Sequence, residues 1–107
     1  MDQSQTLKLA YERQLQIARS HNYRCANVTT ARERHRLMEL PLEGFQLLPD
    51  DVRFPETIYE IFEFSEDRAR RFLEAYGYPV EEEIELYILR ARVFVFVIIG
   101  LEPEMAG

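Results

Sequence analysis

The chain has no tryptophan, a single cysteine and four glycines, and these shortages exclude several kinds of protein at once. Cys25 has no second cysteine to pair with, so the chain is not a secreted scaffold stapled by internal disulfides. Gly44, Gly77, Gly100 and Gly107 stand far apart, which leaves no glycine-rich phosphate loop. The Gly-x-Ser-x-Gly nucleophile elbow is also missing. Long apolar runs are lacking too. The longest, Val93 to Ile99, falls far short of the about 20 residues needed to span a bilayer. The start, Met-Asp-Gln-Ser-Gln, has no basic stretch followed by an apolar one, so it does not read as a secretory signal. These features predict a cytoplasmic protein with no membrane association and no cofactor.

What is present reads as one globular domain of 107 residues, with 47% hydrophobic and 30% charged residues. A chain of this length buries roughly 65% of its extended surface, enough for one core without cross-links. The net charge of −6 argues against general affinity for nucleic acid. That charge is unevenly divided. Residues 1–40 hold seven Lys and Arg against four Asp and Glu, whereas residues 41–107 hold six Arg against fifteen acids.

Residues 5–19 read as a helix, because Leu7, Tyr11, Leu15 and Ala18 recur at helical spacing. The polar stretch His21 to Thr29 reads as its end. Thr30-Ala-Arg-Glu33 fits a capping box and predicts a short second helix from Ala31 to about Glu39, stopped before Pro41. Prolines and Gly44 make 40–55 mainly loop, with a short extended piece at 45–48 and turn residues at Asp50 and Asp51. Ser65 caps a helix over 66–76, with Ala69, Phe72, Leu73 and Tyr76 as its apolar stripe. The pairs Glu66–Arg70 and Asp67–Arg71 support that helix, and Gly77 and Pro79 end it.

Two segments are rich in β-branched and aromatic residues and predict strands. The first is 57–64, for which a helix started by Pro55 is the alternative. The second is 83–99, alternating at its start and apolar on both faces at its end, for which a helix with Pro79 at its start, three glutamates in its first turn and Gly100 at its end is the alternative. The expected fold is therefore α+β: one or two N-terminal helices, mildly basic, over 1–40, then an acidic strand–helix–strand unit with a small sheet over 41–107. A mostly α fold is the alternative. The strand–helix–strand order is similar to half of many small α+β folds, ferredoxin-like ones included, and this likeness implies no function. A strand of up to seventeen residues has few partners in so short a chain, which predicts pairing with a second copy.

Among candidate sites, His21, Cys25 and His35 offer metal-binding atoms, but the paired spacing of a tetrahedral site is missing. They read as parts of a polar inter-helix loop. Glu81, Glu82, Glu83 and Glu85 form the densest acidic run and lack a calcium-loop pattern, so they read as a solvated face or a docking patch for a basic partner. Arg32, Arg34 and Arg36 form the basic counterpart, either paired with the chain's own acidic half or free to bind. With no catalytic motif, the expected function is a small non-enzymatic regulator or adaptor that binds another protein and forms a homodimer. The alternatives are a nucleic-acid-associated regulator using the basic helices, and an enzyme with a dispersed site.

Overall fold

A computed structural model describes residues 3–27, 36–42 and 48–99, and every regular element in them is helical. Helix α1, Gln3–Asn27, contains no glycine or proline and at 1.5 Å per residue is about 37 Å long. Helix α2, Ile58–Ile61, is a single turn. Helices α3, Glu66–Ala75, and α4, Leu86–Phe94, follow, and α4 widens into a π-helical segment, Val95–Ile99. The expected α+β fold is thus overturned, since no strand or sheet occurs among the described residues. The mostly α alternative fits.

The apolar run at the end explains why the sheet was expected. Residues 83–99 are not a long strand. Glu81 to Glu85 form the approach to α4, and the rest is helix. A helix that is apolar all round belongs in the middle of a protein, and this one packs against α1, α2 and α3. Leu89, Val93, Phe96, Val97 and Ile98 are all buried. Each β-branched residue costs only tenths of a kcal/mol of helix propensity, while burying its side chain returns about 1.5–3 kcal/mol. Burial wins.

Segment 57–64 is not a strand either. Thr57 caps α2 by accepting the Glu60 N–H at 3.2 Å, and the Glu60 carboxylate reaches back to the Glu56 N–H. Thr57-x-x-Glu60 is the same signature that marked Thr30, and here it decides the local conformation. Pro55 does not start this helix but is buried ahead of it.

Helix α3 forms as its sequence predicts. The Ser65 hydroxyl accepts the Arg68 N–H, and Arg70 and Arg71 pair with Glu66 and Asp67. Gly77, at φ +88°, closes the C-terminus. Its N–H donates to Glu74 and that of Tyr78 to Leu73, the paired bonds of a Schellman motif. The expected turn forms as well, with the Val52 N–H donating to the Pro49 carbonyl.

Helix α1 passes through the expected break at His21. Asn22 and Cys25 prolong the stripe of Leu7, Tyr11, Leu15 and Ala18, and both are buried. The predicted second helix over 31–39 fails in its described part, because the Leu37 and Met38 N–H groups donate to Glu56 O and Asn22 Oδ1 instead of to a helical carbonyl. Its start, Thr30 to His35, lies outside the described residues, as do residues 45–47 of the expected extended piece.

At the centre of the core, the Phe72 ring lies 5.7 Å from Phe54, 5.9 Å from Phe64, 5.0 Å from Tyr76 and 6.2 Å from Phe96. Arg19 lays its guanidinium over the Phe96 ring, 5.6 Å from its centre. The core thus holds α1, α3 and the π-helical segment together through one run of rings.

Candidate functional site

The acidic run sits between α3 and α4, where all four predicted glutamates, Glu81, Glu82, Glu83 and Glu85, are exposed. They are not equally available. Arg92 grips the Glu81 carboxylate at 2.7 Å, which holds that carboxyl below its ordinary range. Arg70 donates to the backbone carbonyls of Glu81 and Glu82 at 2.7 and 2.6 Å, while its Nε pairs with Glu66. The loop is fixed by the acidic half's own arginines. Among the described residues no ion pair engages Glu82, Glu83 or Glu85.

Of the basic candidates, Arg36 is exposed, while Arg32 and Arg34 lie outside the described residues. The Arg36 carbonyl gathers two of the possible metal-binding groups, accepting from His21 Nε2 at 2.9 Å and from Cys25 Sγ at 3.8 Å. Burial pushes the Cys25 thiol up, away from a reactive thiolate. His35 lies outside the described residues.

All five ion pairs of the described residues (Glu60–Arg68, Glu66–Arg70, Asp51–Arg71, Asp67–Arg71 and Glu81–Arg92) lie within the acidic half. None joins residues 1–40 to residues 41–107. Lys8, Arg13 and Arg24 on α1 therefore keep their charge unpaired among the described residues. Arg24 only reaches back to the Ser20 carbonyl.

The most tightly held charged group outside that loop is Glu60. Burial would raise its carboxyl, but the Glu56 N–H and Arg68 outweigh this and lower it. Arg68 also donates to the carbonyls of Val52 and Arg53 and lies 4.0 Å from the centre of the Phe64 ring. A hollow of about 340 Å³ opens beside it, lined by Arg53, Phe54, Glu56 and Glu60. Its one half-buried acid is fully engaged.

Sequence reasoning missed two exposed apolar surfaces. The first is on α1, where Leu9, Arg13 and Ile17 recur four apart, off the buried Ala18–Asn22–Cys25 stripe. Leu9 is 53% exposed and Ile17 48%. A hollow of about 760 Å³ follows this face, and its described lining comes from α1 alone. The signal was present, since Leu9 and Ile17 fall off the stripe that predicted the helix. The second surface combines α2 and α4. Tyr59 and Phe62 project from α2 and its end, and Tyr87, Ala91 and Phe94 share one face of α4. The Phe62 and Phe94 rings lie 5.6 Å apart and join the two sets. Reading both segments as strands hid this patch.

The chain matches no family model, no curated protein and no solved structure. Among the described residues no helix is long and apolar enough to cross a membrane, and no three His, Cys, Asp or Glu side chains are grouped to hold a metal ion.

Proposed function

We propose that the protein is a small non-enzymatic regulator or adaptor that acts by binding another protein, with the outward face of α1 as its docking surface. The observation that carries this reading is that α1 leaves apolar residues exposed off the stripe by which its C-terminal half packs. That stripe is spent on the core at Ala18, Asn22 and Cys25, while Leu9 and Ile17 stand half exposed beside Arg13. Every residue from Gln3 to Ala10 is exposed, so the helix projects about two turns beyond its half-buried part. Helices that present apolar anchors at four-residue spacing are a common recognition element, and arginine is enriched among the residues that dominate interface energy.

With residues 86–99 helical, no unpaired strand calls for a second copy.

The test is capture from the native cell with the immobilised full chain, compared with a variant carrying Leu9→Glu and Ile17→Glu. Both positions are surface sites, and the variant keeps the wild-type helix spectrum. The wild type retains a defined protein partner and the variant loses it. Identical capture by both would discard the α1 face as the docking surface.

A further inference from the structure

We draw no further inference here: the strongest candidate, the exposed aromatic patch that Tyr59, Phe62, Tyr87 and Phe94 form across α2 and α4, carries nothing, because nothing in the structure shows what covers it.

Discussion

Asn22 lies near the C-terminal end of α1, fully buried, where polar residues are rare. Its side chain is there because it has both a donor and an acceptor. The amide nitrogen donates to the carbonyls of Met38 at 3.0 Å and Val97 at 3.3 Å, and the oxygen accepts the Met38 N–H at 2.7 Å. One residue thus joins α1, the 36–42 segment and the π-helical segment. Replacing it with alanine leaves a buried N–H and two carbonyls without partners. Asn22→Ala is expected to lower stability by about 2–4 kcal/mol, read as a shifted midpoint in urea unfolding with the slope unchanged. A loss within a few tenths of a kcal/mol would show that the helix does not depend on this clamp. The role was not legible in the sequence, where an asparagine between His21 and Tyr23 reads as the end of a helix. The information lay in the segment it holds, about fifteen residues further on.

At the scale of elements, α3 was readable because every signal for it is local: a serine cap, acids in the first turn, a four-residue stripe and a glycine stop. Gly77 tests how much such a stop is worth. A Cβ placed there meets nothing within 4 Å, so the only penalty for alanine is its left-handed backbone. Gly77→Ala is expected to cost about 1 kcal/mol in thermal or urea unfolding, and Gly77→Asn clearly less. A cost near 3 kcal/mol would show that the position bears some further contact. Helix α4 was unreadable for the opposite reason. Its conformation follows from being surrounded, and nothing within Val93 to Ile99 reports how many neighbours it has. Composition favoured a strand covered on two faces, while the fold provides a helix that buries Leu89, Val93, Phe96, Val97 and Ile98 and leaves Tyr87 and Ala91 exposed. Likewise Tyr59, Phe62 and Tyr87 become a single patch only when α2 and α4 wind and pack together.

For the molecule as a whole, the division of charge was legible but its use was not. Among the described residues the ion pairs lie inside the acidic half, while Arg32 and Arg34 lie outside those residues. That half is thereby made sensitive to acid. Glu60 and Glu81 are both held below the ordinary carboxyl value of 4.5, by the Glu56 N–H and Arg68 in one case and by Arg92 in the other. A carboxyl lowered by folding stabilises the folded chain while ionised. Its contribution is complete above 4.5 and is lost as pH falls through the lower, folded-state value. Stability should therefore decline below about pH 4.5, and Glu60→Gln should be less stable than wild type at neutral pH. The two unfolding curves should converge as the pH is lowered. A constant gap between them down to strongly acidic pH would mean that the Glu60 charge carries none of this stability.

The long-range ring stack and the Asn22 clamp carry a consequence for how the protein is made. Helices α2 and α3 leave the ribosome before the segment that covers them, and Phe72 cannot meet Phe96 until residues beyond α4 have emerged. A nascent chain ending before Val93 would expose Phe54, Phe64 and Phe72 together and leave the Asn22 amide without its Val97 acceptor. Such an intermediate is a natural client for a chaperone that binds aromatic surface. Translation stalled inside α4 should accordingly yield aggregated or degraded product, whereas release after Ile99 completes the core in one step.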